Sequence, residues 1–324
     1  MIKVHTPSRL HFGLLAYDPQ AMRQFGGVGL MVQRPNLVLH VEPADRFVAE
    51  GPMADRAVTF ARRFAHRCGQ TINGASIGIL HAPSLHTGLG TGTQLAMAIA
   101  HALALMIDRD DWGPADLARM VDRGQRSAIG TYGFFTGGLI VEGGKSEPQQ
   151  LSPMLLHHPF PTNWHLLLVC PRLLQGISGR REQDMFVQMP PISQANTARM
   201  CQLVMLGLLP AMLENNVDHF GDALYDLQQV VGQSFATAQG GVYAHDMLEN
   251  IVHFIRDQGV RGVGQSSWGP TLYAVTDDHD QAQQLADHIR HRFCLQSTEV
   301  FVTQADNHGA VIQHLAATTP SPST

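Results

Sequence analysis

Short apolar runs broken by turn residues fill the first third of the chain. Lys3–His5 and Leu10–Leu15 flank Pro7, and Gly29–Gln33 and Leu37–Pro43 flank Arg34-Pro35-Asn36. This pattern predicts strands, with a turn at Arg34-Pro35-Asn36. The period changes at Asp55–Cys68, where Val58, Phe60, Ala61, Phe64 and Ala65 fall near one face of a helix. Ala75–His81 predicts a further strand. A Gly/Thr-rich run, Leu85–Thr93, then opens a strongly apolar helix over Gln94–Ile107. Pro114–Gly124 predicts a second helix, with Asp116 in its first turn and Arg123 near its end. Leu139–Glu142 reads as a short strand after Gly137-Gly138.

Four prolines at 148, 153, 159 and 161 predict a break over Pro148–Thr162. Beyond it, Trp164–Cys170 predicts a buried strand, and Gln194–Leu213, Val217–Val231 and Tyr243–Asp257 predict helices. Gly262–Gly264 and Gly269-Pro270 lead into a strand at Thr271–Val275, followed by a helix at Asp278–Arg292 and a strand at Ser297–Thr303. The pattern is α+β in two domains, residues 1–160 and 161–315, and the tail 316–324 has the composition of a disordered segment.

At 324 residues and 44% hydrophobic the chain can bury a sizeable core, and its net charge of −5 excludes both wholesale disorder and nucleic-acid binding by bulk positive charge. Lys3 and Lys145 are the only lysines among 22 basic residues. Any grip on phosphate or carboxylate therefore falls to arginine forks, although genomic composition bias explains the skew equally. Cys68, Cys170, Cys201 and Cys294 form no CxxC pair and read as reduced, mostly buried thiols. The opening MIKVHTPSRLHFGLL has no signal-peptide layout, and no apolar stretch is long enough to span a bilayer, so the expectation is a cytoplasmic protein. Eighteen histidines show no metal-ligand spacing.

Four segments carry chemistry. Gly88-Leu89-Gly90-Thr91-Gly92-Thr93 opens the apolar helix, with glycines for close backbone approach, hydroxyls at Thr91 and Thr93, and a helix head behind them. It lacks the GK[ST] of a Walker A loop and the GxGxxG order of a dinucleotide site. An anion site and a plain threonine-capped helix entry both fit this spacing. Gly262-Val263-Gly264-Gln265-Ser266-Ser267-Trp268-Gly269-Pro270-Thr271 is a shaped polar loop before a strand. Arg126-Ser127-Ala128-Ile129-Gly130 opens a glycine-dense stretch, and Arg23-Gln24-Phe25-Gly26-Gly27 is a glycine turn after an arginine.

Pro7-Ser8-Arg9-Leu10-His11-Phe12-Gly13, the Gly88–Thr91 loop and the Gly262–Thr271 loop resemble the three motifs of the GHMP kinase superfamily in order and spacing. Within it the chain most resembles the β-ribofuranosylaminobenzene 5′-phosphate synthase family of methanopterin biosynthesis, from about Ile2 to about Ala310. The resemblance implies an N-terminal ribosomal-S5-like α/β domain and a C-terminal ferredoxin-like domain. It implies phosphoribosyl pyrophosphate as donor, 4-aminobenzoate or 4-hydroxybenzoate as acceptor, and loss of CO₂ and pyrophosphate. Mg²⁺ and a homodimer are expected with it, and neither an organic cofactor nor a membrane or nucleic-acid partner.

On that basis Gly88, Leu89, Gly90, Thr91, Gly92 and Thr93 face the diphosphate, with Arg9, Arg126, Ser127, Gln265, Ser266 and Ser267 around it. Arg23, Asp18 and His308 are the candidate catalytic residues, and Asp18 and Glu182, with Asp184 near by, the candidate Mg²⁺ ligands. Phe25, Tyr132, Phe134 or Trp268 would line an acceptor pocket. The alternative is an ATP-dependent small-molecule kinase of the same superfamily. Two departures weigh against it: Ser127–Gly138 contains no Asp or Glu to serve as base, and Arg9 stands where such kinases often carry Lys.

Overall fold

A computed structural model of the chain describes residues 1–174, 176, 185–186 and 189–315. The α+β expectation holds, as two sheets with helices between and outside them. In the first sheet β1 (Ile2–Ala16) and β2 (Phe25–Pro43) form a long antiparallel hairpin, closed where Ala16 faces Phe25. The predicted turn at Arg34-Pro35-Asn36 is instead a bulge inside β2. Thr6 faces Leu37 and Ser8 faces Val32, so the extra residues of β2 loop out opposite Pro7. Neither proline can donate to the ladder, and the break falls where both would have had to.

The far half of β2 pairs β4 (Ala75–His81), which pairs β3 (Val48–Glu50). The near half pairs β5 (Leu139–Glu142), which pairs β6 (Met154–His158). Strand β6 lies inside the stretch expected to be a break. Pro153 and Pro159 bracket it rather than dissolve it, which suits an edge strand with one unpaired side. The expected division at 160/161 falls between β6 and β7, and the last strand, β11 (Val311–His314), returns to pair with β1.

Helix α1 (Ala54–Arg67) and helix α2 (Thr91–Met106) pack beneath this sheet with α3 (Pro114–Val121). Every residue of α2 from Gln94 to Ala104 except His101 is buried, as its apolar sequence requires. The glycine-dense stretch after Arg126, for which the sequence pattern predicts no element, contains helix α4 (Ile129–Thr136). Gly133 is what lets it lie against β2: a side chain there would overlap Met31.

The second sheet has the order β10-β7-β9-β8: Val300–Thr303, His165–Val169, Leu272–Thr276 and Gly262–Gln265. Leu167 and Val169 pack in one core cluster, and Leu166 and Leu168 in another that reaches Phe12, Leu14 and Val28 of the first sheet. Burial on both faces explains the unbroken apolar run of β7. The helix predicted over 194–213 is α5 (Gln194–Leu203), a π-helical turn (Val204–Leu208) and α6 (Leu209–Leu213). Then come α7 (Val217–Gln239), α8 (Asp246–Asp257) and α9 (His279–Phe293). The cysteines depart from expectation: Cys68 is buried and Cys170 half-buried, but Cys201 and Cys294 are exposed. Among the described residues no helix is long and apolar enough to cross a membrane.

Candidate active site: an arginine-walled cleft at the head of a buried helix

The glycine loop is clamped from two sides. On one side the Arg9 N–H of β1 donates to Leu89 O at 2.9 Å. On the other, Ser266 Oγ donates to Gly88 O at 2.7 Å and accepts the His11 N–H at 3.0 Å. Thr271 N–H reaches Thr87 O at 3.3 Å, and a Cβ on Gly88 would fall 2.2 Å from Ser266 O. Loop, strand β1 and the 266–271 turn thus form one unit. Gly90, at φ 71°, caps α2, and its carbonyl takes the Thr93 and Gln94 N–H groups. The amides of Thr91 and Gly92 find no protein acceptor among the described residues, so the helix head faces an anion site.

An open cleft lies in front of this head. Arg9, Arg56, Arg123 and Arg126 line it. Asp122 is the one carboxylate among its described lining residues, and it is drawn to Arg63 at 3.4 Å and Arg67 at 3.9 Å. Burial, with Arg56 and Arg63 beside it, brings the Arg123 guanidinium down to about 10. The cleft ends in aromatic rings. Trp268 packs edge-on against Phe235 at 4.9 Å and Phe186 at 5.5 Å, and Arg126 lies 4.7 Å over Phe186. A smaller pocket adjoins there and shares His11, Leu14, Ser267 and Trp268 with the cleft.

Of the residues expected from the sequence, Arg9, Gly88 to Thr93, Arg126, Ser127 and Ser267 come together at this cleft. Ser266 is buried behind it as the clamp on the loop. Gln265 is occupied with the backbone, its Oε1 accepting the Ala244 N–H and its Nε2 donating to Ser267 O. Arg23 lies in a different cleft, its Nε and Nη2 on Gly143 O and Gly144 O at 3.1 Å each. Asp18 accepts the Gln20 N–H on the hairpin tip. That tip borders the cleft through Tyr17, whose ring meets Phe186 at 5.3 Å. His308 sits on an exposed turn against Gly137, at the far end of α4, about 12 Å of helix from Ala128. Glu182 and Asp184 lie outside the described residues. Among those described, no three His, Cys, Asp or Glu side chains gather as a metal site. Of the aromatic candidates Trp268 lines the cleft, Phe25 lies in the cleft of Arg23, Phe134 is core, and the Tyr132 hydroxyl donates to Ser152 O.

Four participants escaped the sequence reading. Arg56 stands in the first turn of α1, against the helix dipole, which is the one signal that could have marked it. Phe186 closes the aromatic end. His11 Nε2 and Glu142 Oε1 are buried, unpartnered, and within 3.4 Å of where a Gly27 Cβ would lie. Burial, reinforced by the Arg9 charge, holds His11 well below the usual imidazole range, while burial raises Glu142. Glu142 Oε2 accepts the Ala128 N–H at 2.8 Å, so a carboxyl does stand at the head of α4, supplied from the following strand.

Comparison with known proteins agrees with this architecture. Residues 208–293 match the GHMP kinases C-terminal family model. Homoserine kinase from Cytophaga hutchinsonii superimposes with a TM-score of 0.70 at 15% identity, covering 96% of this chain and 97% of that one. Mevalonate diphosphate decarboxylase from Staphylococcus aureus does so at 0.69 and 12%, covering 97% and 99%. The fold is therefore of the GHMP type. A β-ribofuranosylphenol 5′-phosphate synthase of Archaeoglobus fulgidus is 30% identical over 97% of this chain and 100% of its own length. One from Methanothermobacter thermautotrophicus is 29% identical, over 85% of this chain and 88% of its own. The chain belongs to the β-ribofuranosylphenol 5′-phosphate synthase family of enzymes.

Proposed function

We propose that the chain is a decarboxylating phosphoribosyl transferase of tetrahydromethanopterin biosynthesis, joining phosphoribosyl pyrophosphate to 4-hydroxybenzoate or 4-aminobenzoate. One observation carries this reading: a single cleft combines a wall of arginines over a helix head with an aromatic end. The first suits phosphates and the second a benzoate ring. The relatives' name, a ribosyl 5′-phosphate joined to a phenol, supports it.

In the reaction the ring carbon bearing the carboxylate attacks C1 of the ribose as the C1–O bond to pyrophosphate breaks. The electrons of the ring–carboxylate bond then restore the aromatic ring as CO₂ leaves. The Thr91 amide, Thr93 and Arg9 face the charge that builds on the departing diphosphate. The Trp268, Phe235 and Phe186 rings withdraw the carboxylate from water, which favours neutral CO₂. Arg126 and the hairpin tip with Asp18 and Arg23 stand on the acceptor side of this reading. Asp18, on the hairpin tip, is the described carboxylate that could join the diphosphate oxygens in holding a Mg²⁺ ion, which would supply positive charge to the leaving group.

The kinase alternative has less support. Glu142 is the carboxyl at the head of α4, but it is buried under the Ala128 amide and does not line the arginine cleft. The test is CO₂ release from carboxyl-labelled 4-hydroxybenzoate and 4-aminobenzoate with either phosphoribosyl pyrophosphate or ATP. Release that needs phosphoribosyl pyrophosphate, with matching pyrophosphate, is the expected result. No release with that donor, together with ATP-dependent phosphorylation of an alcohol, would overturn it.

A further inference from the structure

Three arginines of α1 and its neighbour α3 are paired: Arg63 with Asp122 at 3.4 Å, Arg67 with Arg119 O at 2.8 Å, and Arg119 with Asp116 at 2.7 Å. Arg56 and Arg123, which line the cleft, make no side-chain hydrogen bond or ion pair among the described residues. Arg123 Nε is fully buried without an acceptor. Both guanidinium groups converge on one place. A Cβ on Gly92 would lie 3.1 Å from Arg56 Nη2 and 3.9 Å from Arg123 Nη2. Arg9, by contrast, meets the loop at Gly90, its Nε 3.2 Å from the corresponding Cβ. Phe60 sets the orientation of the pair, with the Arg123 guanidinium 4.7 Å and that of Arg56 6.0 Å from its ring centre.

The protein itself compensates this arrangement poorly, since Asp122 beside Arg123 is taken up by Arg63. Two like charges share a partly buried wall, and Arg56 stands where the α1 dipole disfavours a cation. A dianion between the two forks reverses each of these terms, and arginine forks match a phosphoryl group in geometry.

We infer that Arg56 and Arg123 form a second phosphate subsite on the Gly92 side of the helix head, set apart from Gly90 and Arg9, and that it takes the 5-phosphate of the donor sugar. This rests on the phosphoribosyl reading above. The direction follows from the chemistry of the donor. C1 must meet the acceptor at the Trp268 and Phe186 end, so the diphosphate it carries lies beside that end, at Gly90 and Arg9. The monophosphate on C5 then points to the α1 and α3 wall. The same pair selects against a nucleoside triphosphate, whose neutral base would leave two guanidinium groups desolvated and unpaired.

The test is calorimetric titration of the full chain with ribose 5-phosphate, inorganic pyrophosphate and phosphoribosyl pyrophosphate, for the wild type and for Arg56→Gln and Arg123→Gln. Each variant is expected to weaken ribose 5-phosphate by roughly tenfold or more, as loss of a charge-assisted fork does, with pyrophosphate affinity held within about threefold. The unfolding midpoint is expected to stay level or rise, because an unpaired charge is removed; a purely structural arginine would lower it. Equal loss of pyrophosphate and ribose 5-phosphate would merge the pair into the diphosphate site and overturn the inference. Unchanged affinity for both probes would also overturn it. A wild-type chain that binds pyrophosphate and phosphoribosyl pyrophosphate but not ribose 5-phosphate would sink the subsite alone. One that binds ATP and not phosphoribosyl pyrophosphate would sink the donor reading, and the subsite with it.

Discussion

Ser266 Oγ donates to Gly88 O at 2.7 Å and accepts the His11 N–H at 3.0 Å, so one buried hydroxyl, 178 residues along the chain from Gly88 and 255 from His11, ties the glycine loop to β1. Ser266→Ala leaves a half-buried carbonyl and a buried amide unpaired. The expected loss is about 1–3 kcal/mol of stability. Donor affinity should fall as well, because the loop is no longer held against Arg9. Urea unfolding and titration with phosphoribosyl pyrophosphate check the two effects separately. A variant with wild-type values in both would show that the clamp does not matter.

His11 makes stability depend on pH. Burial holds its folded value well below the ordinary 6.5, so below that value the unfolded chain binds more protons than the folded one. Its contribution is therefore complete above about 6.5 and is lost as pH falls, at up to about 1.4 kcal/mol per pH unit. His101, also lowered by burial, adds to the slope in the same direction. Glu142, raised by burial, acts oppositely in the more acid range, since its contribution is lost as pH rises through its folded value. His11→Gln should make the fall in the urea midpoint between pH 7.5 and 5 shallower. An unaltered slope would rule out His11 as a titrating group.

The parts of this fold that could be read from the sequence are those where one period dominates locally. Helix α1 was legible from Phe60, Ala61 and Phe64, and strand β7 from its apolar run, because burial alone decides them. The bulge at Arg34-Pro35-Asn36 was not, because a proline-containing break looks the same whether the chain reverses or continues along a partner. Helix α4 was hidden by Gly130 and Gly133, which weaken helix propensity but allow the approach to Met31 that stabilises it. The site divides in the same way. Backbone motifs such as Gly88–Thr93 announce themselves. Arg56 and Glu142 do not, since only tertiary packing carries a first-turn arginine and a strand-end carboxyl to the glycine loop and to Ala128.

Arg23 offers a test of the hairpin. Its guanidinium holds Gly143 O and Gly144 O, and its strand pair carries Tyr17 to Phe186 at the cleft rim. Arg23→Gln is expected to reduce turnover by roughly tenfold or more while stability changes by only about 1 kcal/mol, the typical net value of exposed hydrogen bonds. Donor affinity should remain near that of the wild type, because Arg23 does not line the arginine cleft. Unchanged turnover in a well-folded variant would remove the hairpin tip from the reaction. Loss of donor affinity would instead place Arg23 on the phosphate side.

Gly90 gives the sharpest test of the phosphate loop, because two physical effects coincide there. Its φ of 71° lies in the left-handed region, where a β-branched residue is strained by about 1–2 kcal/mol. A Cβ would also come within 3.1 Å of Arg9 Cβ and 3.2 Å of Arg9 Nε, on the side from which Arg9 meets the loop. Gly90→Ala carries the backbone strain with the least added bulk, and Gly90→Val adds methyl groups against Arg9. The expected outcome is a modest loss of stability in both variants and a further loss of phosphoribosyl pyrophosphate affinity, roughly tenfold or more, in the valine variant. Comparing the two by urea unfolding and by donor titration separates strain from obstruction. Wild-type donor affinity in a folded Gly90→Val chain would mean that the diphosphate does not approach the loop at all.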